Sequence, residues 1–129
     1  MVMPIAGTGS HPANLALRFL LEVAALVAVA RWGFLLVTSW PRYVLLLALP
    51  VGLAIIWGVF AAPDDPSRSG RAPVPIAGSL RLLLELLVFA TASCALYASD
   101  AHRAAWALAA AVLVHNALSY DRVAWLLSR

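Results

Sequence analysis

From Tyr43 to Ala62 the chain runs for 20 residues without one charged side chain. The hydrocarbon core of a bilayer, about 30 Å thick, is crossed by about 20 apolar residues at roughly 1.5 Å rise each. A soluble helix of that length needs a polar stripe facing water, and this run has none. Composition agrees: 64% of the 129 residues are hydrophobic and 12% charged, with mean hydropathy +0.90. Soluble domains are about 45–50% apolar and a quarter charged. Three more stretches reach spanning length: about Leu15 to Val37, about Gly78 to Ser99, and about Arg103 to Leu127. The expectation is one integral membrane domain over residues 1–129, all-α, with four transmembrane helices.

The breaks between these spans are short or polar. Asn14 suits an N-cap for the first helix, with His11-Pro12 as an extended lead-in. Ser39-Trp40-Pro41-Arg42 makes a tight connection in which Pro41 fits the first turn of the second helix. Residues 63–77 form a polar, proline-rich loop that no membrane interior tolerates, and Ser99-Asp100-Ala101-His102 makes the third break. Such loops force antiparallel neighbours, hence an up-down-up-down four-helix transmembrane bundle. Met1 to Ser10 lacks the basic region of a signal peptide, so the first span is expected to stay. Arg18, Arg68, Arg71, Arg81, Arg122 and Arg129 cluster toward one side and Arg31, Arg42 and Arg103 toward the other. That bias predicts cytoplasmic termini in a cytoplasmic membrane. Trp32, Trp40 and Trp106 would anchor the outer interface and Trp125 the inner one.

The first and third spans share a motif. Leu17-Arg18-Phe19-Leu20-Leu21-Glu22 recurs as Leu80-Arg81-Leu82-Leu83-Leu84-Glu85, five identities in six at a shift of 63 residues. The leucines carry little information in apolar helices; the Arg and Glu four residues apart carry more. The repeat predicts two duplicated helical hairpins related by an axis along the membrane normal. Residues i and i+4 share a helix face, so each pair can close within its helix. Across the axis, Arg18 can reach Glu85 and Arg81 can reach Glu22. Each charge in hydrocarbon costs roughly 2.5–3.5 kcal/mol, and pairing is the cheaper solution. All four side chains should therefore face the interior as one cluster.

The fourth span adds polar groups. Asn116 and Tyr120 share a face with Asp121 beside them, and His115 lies near mid-span, the one group titrating near neutral pH when unperturbed. Arg18, Glu22, Arg81, Glu85, His115, Asn116, Tyr120 and Asp121 are thus the candidate site. Gly52 and Gly58 would permit close helix approach, Pro50 would kink the second span, and Cys94 would be a small core residue. Asp64-Asp65 reads as a solvated loop pair. A lone cysteine excludes a disulfide scaffold, and nine scattered arginines with a net charge of +3 argue against nucleic-acid binding. With no metal-ligand spacing, phosphate loop or nucleophile motif, neither an enzyme nor a cofactor is expected.

Asn14-Leu-Ala-Leu-Arg18-Phe-Leu-Leu-Glu22, Trp57-Gly58-Val-Phe60-Ala-Ala-Pro63 and Leu80-Arg81-Leu-Leu-Leu-Glu85-Leu-Leu-Val-Phe89 together resemble the YrdB-like family of small four-span bacterial membrane proteins. The resemblance runs from about Asn14 into the fourth span and implies a cytoplasmic-membrane protein with no assigned activity. The longer polar loop at Ser67–Pro75 and the all-arginine basic usage depart from it. Two functions fit these residues. One is a small structural or accessory subunit, with the bilayer and either a second copy or a membrane protein as partner. The other is an oligomeric proton- or cation-coupled transporter or channel using Glu22 and Glu85.

Overall fold

The computed structural model describes residues 12–63 and 72–129. The expectations for Met1 to Ser10, for Asp64-Asp65 and for Arg68 and Arg71 fall outside those residues. The described chain is helical throughout, apart from one minimal strand pair. Helix α1 spans Pro12–Leu36, α2 Pro41–Val59, α3 Gly78–Ala98, α4 His102–Leu118 and α5 Tyr120–Leu127. Strands β1 (Phe60–Ala61) and β2 (Val74–Pro75) pair in parallel, and Ile76 N–H extends the ladder to the Ala61 carbonyl. Within the 63–77 connection only Val74–Pro75 adopts regular structure among the described residues.

Helices α1, α2 and α3 are long and apolar enough to cross a membrane, which marks a membrane protein. At 1.5 Å per residue, their 25, 19 and 21 residues measure roughly 37, 28 and 31 Å. The fourth stretch departs from expectation: in place of one helix over 103–127 the chain breaks at Ser119 into α4 and α5. Helix α4, at 17 residues, is about 25 Å long, short of a full bilayer core.

Each connection follows its local chemistry. Pro41 opens α2, where a missing N–H costs nothing. Asp100 closes α3 in the left-handed region, at φ 66°. Its N–H bonds the Tyr97 carbonyl and that of Ala101 bonds Leu96, the paired closure of a Schellman motif with Asp in the usual glycine position. Asn14 does not cap α1. Pro12 already provides the first helical residue, and Asn14 sits inside the first turn, with its side chain buried.

Helices α1 and α3 form the central pair; α2 lies against α1, and α4 and α5 lie against α3. The core is built largely on that seam, where Ala25, Ala28 and Ala92 let the backbones approach and Leu21, Val29, Phe89, Leu108 and Val112 fill the surrounding space. Peripheral α2 has no fully buried residue, and this overturns the role expected for Gly52 and Gly58. A Cβ on either meets nothing within 4 Å. The close approaches lie at Gly33, where a Cβ would come within 2.6 Å of Leu49 Cδ1 and 3.1 Å of the Leu45 carbonyl oxygen, and at Gly78. Cys94 is exposed rather than in the core. Helix α2 continues through Pro50, and Trp40 and Trp106 are exposed.

These glycines give opposite predictions for one substitution. Alanine is the better helix former by about 1 kcal/mol. Gly52→Ala is therefore expected to leave stability unchanged or raised by up to about 1 kcal/mol. Gly33→Ala, which must push Leu49 and the α2 backbone aside, is expected to fall at least about 1 kcal/mol below Gly52→Ala. Denaturant unfolding in detergent micelles measures both.

Candidate functional site

The first turns of α1 and α3, the end of α2 and the end of the α4–α5 segment meet at one end of the molecule, and there the charges collect. Glu85 is the hub. Its Oε1 accepts from Arg18 Nη2 at 2.7 Å, from Arg81 Nε at 3.0 Å and from Arg122 Nη2 at 2.7 Å. Its Oε2 accepts from Arg122 Nη1 at 2.9 Å. Arg122 thus grips the carboxylate with both arms of its fork, the strongest geometry open to such a pair. All four side chains are buried.

The two Arg–Glu pairs do not form a symmetric cluster. Arg18 closes on Glu22 one turn away, at 3.2 Å, and also crosses to Glu85. Arg81 does not make the matching reach to Glu22. It turns to the C-terminal end of α2 instead, where Nη1 donates to the carbonyls of Trp57 and Phe60 at 2.6 and 2.5 Å. Carbonyls at a helix terminus lack intrahelical partners and carry the negative end of the dipole, so a buried guanidinium there satisfies both needs. Arg31 does the same at the opposite end of the molecule by donating to the Ser99 carbonyl at the close of α3.

Trp57 belongs to this cluster. The guanidinium carbons of Arg18 and Arg81 lie 5.5 and 4.7 Å from its ring centroid, and its Nε1 donates to Glu22 Oε1 at 3.1 Å. Cation–π contact of this kind strengthens where water is excluded. Glu22, with 28% of its side chain exposed, lines a cavity of about 190 Å³ bounded by α1, α2 and α3. It is the one carboxylate of the four-residue motif that is not enclosed.

The fourth-span candidates divide. His115 is buried, but near the end of the helix rather than at mid-depth: its Nδ1 lies 3.0 Å from Asn14 Oδ1, in the first turns of α1. Asn14 Nδ2 in turn donates to Ser119 Oγ at 2.7 Å. Asn116 stays out of the cluster and bonds the Val112 carbonyl of its own helix. Tyr120 is exposed and Asp121 half-buried. The break at Ser119 explains the difference. It starts a new helix, so 116 and 120 no longer share a face, and it turns Arg122 inward toward Glu85. Arg122, Asn14, Ser119 and Trp57 are the residues the sequence reading did not assign to the site. Arg122 had one readable signal: beside Asp121, it is a charge five residues from the end of the stretch expected to run to Leu127.

Burial of Arg18, Arg81 and Arg122 also removes three of the six arginines behind the predicted orientation. They neutralise carboxylates and carbonyls rather than face water.

The Asn14–His115–Ser119 bridge yields a prediction. Asn14→Leu removes two interhelical hydrogen bonds at once and leaves two buried groups to find new partners. At about 0.6–1 kcal/mol for each such bond, the expected loss is about 1–2 kcal/mol. His115→Ala should then cost less in the Asn14→Leu background than in the parent protein, because the bond between them is already gone. A double-mutant cycle on unfolding free energy checks it.

The residues around this geometry have known counterparts. The family described as "Protein of unknown function (DUF2568)" matches residues 16–113, a range that takes in Arg18, Glu22, Trp57, Arg81 and Glu85 and stops short of Arg122. The chain is 40% identical over 116 residues to the uncharacterized protein YrdB of Bacillus subtilis (strain 168), across 90% of this chain and 94% of that protein. No solved structure matches it.

Proposed function

Because the chain belongs to the DUF2568 family, whose function is unknown, we propose a role from the geometry itself: a four-span structural or accessory membrane protein, not an enzyme, held together by its Arg–Glu cluster. In this reading α1, α2, α3 and the broken α4–α5 segment cross the cytoplasmic membrane of a bacterium up-down-up-down, with both termini on one side. The partners are the bilayer and either a second copy or another membrane protein. The recurring Arg–Glu spacing supports descent from two duplicated hairpins, joined along the α1–α3 seam.

One observation carries the structural role. Both oxygens of Glu85 accept from arginines, and those arginines come from α1, α3 and α5. Such a carboxylate is a staple between helices. Proton- or cation-coupled transport through Glu22 and Glu85 would require Glu85 to exchange its three guanidinium partners for a lone ion in every cycle. Breaking even one buried ion pair costs several kcal/mol.

The test is paired. Proteoliposomes carrying the parent protein are expected to leak protons and monovalent cations no faster than empty ones. Glu85→Gln is expected to lose stability in detergent. A flux that vanishes in Glu22→Gln or Glu85→Gln without loss of stability would replace this reading with transport. Cysteine accessibility at both termini tests the topology: labelling from opposite sides contradicts an even number of spans.

A further inference from the structure

Glu22 makes a different contact from Glu85, and this leads beyond the structural role. The cavity beside it is bounded by Leu53, Ala54 and Trp57 of α2, Val88 and Phe89 of α3, and Glu22 itself on α1. Its volume, about 190 Å³, exceeds that of an engineered apolar protein cavity of about 150 Å³ that takes up benzene. Ala54 is exposed, so the cavity reaches the surface of the helices at that point. The walls are aromatic and aliphatic, and the Glu22 carboxylate is the polar group.

That carboxylate is half used. Oε1 accepts from Trp57 Nε1 and is ion-paired with Arg18 Nε at 3.2 Å, and Oε2 has no protein partner among the described residues. A water seated there would find one strong acceptor where a buried water needs two to four partners. A carboxylate oxygen left open beside an apolar slot selects for a donor attached to an apolar body. A cationic donor is disfavoured: Arg18 already pairs with the same carboxylate, and Arg81 lies over the indole that walls the cavity. A neutral hydroxyl meets neither charge.

We propose that this cavity binds a small lipid-soluble molecule with one hydroxyl on a compact apolar or aromatic body, the hydroxyl donating to Glu22 Oε2. The body packs between Trp57, Phe89 and the aliphatic walls, and entry is past Ala54. The volume admits one ring with a short substituent, or a comparable length of a larger lipid-soluble alcohol whose remainder trails between the helices.

Three probes test this on the detergent-solubilised full chain: 4-ethylphenol, ethylbenzene and phenethylammonium, titrated at matched free concentrations with saturation-transfer NMR. Hydrogen bonds to charged groups are strong enough that 4-ethylphenol is expected to bind about tenfold or more tightly than ethylbenzene. Phenethylammonium should bind most weakly. Ala54→Phe fills the slot from its exposed side without touching the core and is expected to abolish binding of all three. Glu22→Leu is expected to erase the preference for the phenol while ethylbenzene still binds. Equal affinity for phenol and ethylbenzene would make the cavity an acyl-chain slot and overturn the proposal. So would preference for the ammonium, or binding that survives Ala54→Phe.

Discussion

Replacing Glu85 with leucine is expected to lower stability by about 3–5 kcal/mol, the cost of leaving buried charges uncompensated. Arg18 keeps Glu22, and Arg81 keeps the carbonyls of Trp57 and Phe60. Arg122 loses both bonds that it makes to Glu85. The partial recovery should therefore follow Arg122: Glu85→Leu with Arg122→Leu is expected to be more stable than Glu85→Leu alone. Arg81→Leu should rescue less, because it also strips the end of α2 of its cap. Arg122→Lys should weaken the site even in the parent, since an ammonium cannot reproduce the two-armed grip. Unfolding free energies in one detergent measure the series. A loss below about 1 kcal/mol for Glu85→Leu would mean that the arginines rehydrate freely and the cluster does not hold the helices.

How much of this site was legible in the sequence depends on what each residue needed in order to be placed. Arg18 and Glu85 could be paired because a repeated i, i+4 spacing puts like charges at like depths on like helices, and costly burial forces them together. The limit of that argument is the second cross-pair. The repeat predicts Arg81 to Glu22 as well, but a repeat cannot register that α2 ends beside Arg81 with carbonyls to offer. Where α2 ends in space depends on how it packs against α1, which no periodicity reports. The break at Ser119 was hidden for a related reason. Apolar residues continue on both sides of it, so hydropathy reads one span, whereas Ser119 is held by Asn14 from a helix 105 residues earlier in the chain. Once that bend is missed, Arg122 reads as a helix-end charge and Asn116 and Tyr120 as its inward neighbours.

The C-terminal helix is thus the least readable element and an essential wall of the cluster, and Gly78 controls its docking. A Cβ at Gly78 would overlap the carbonyl oxygen of Leu126 and lie 2.7 and 2.8 Å from that residue's carbonyl carbon and Cα. These are backbone atoms, which cannot rotate away as a side-chain tip can. The Gly78 N–H also donates to the Arg129 carbonyl at 3.2 Å. Helix propensity alone predicts that Gly78→Ala stabilises α3 by up to about 1 kcal/mol. Packing predicts the opposite sign. Helix α5 must lift, Leu126 loses its complete burial, worth about 1.5–3 kcal/mol, and Arg122 leaves Glu85. The expected net loss is about 3 kcal/mol. Two observations separate this mechanism from general damage. Amide hydrogen exchange should accelerate across Tyr120–Leu127 while α1 stays protected. Arg122→Leu, costly in the parent, should add almost nothing in the Gly78→Ala background, because the bond it removes is already lost. Additive losses, or an α5 as protected as before, would show that the end of the chain can yield to a methyl group without releasing Arg122.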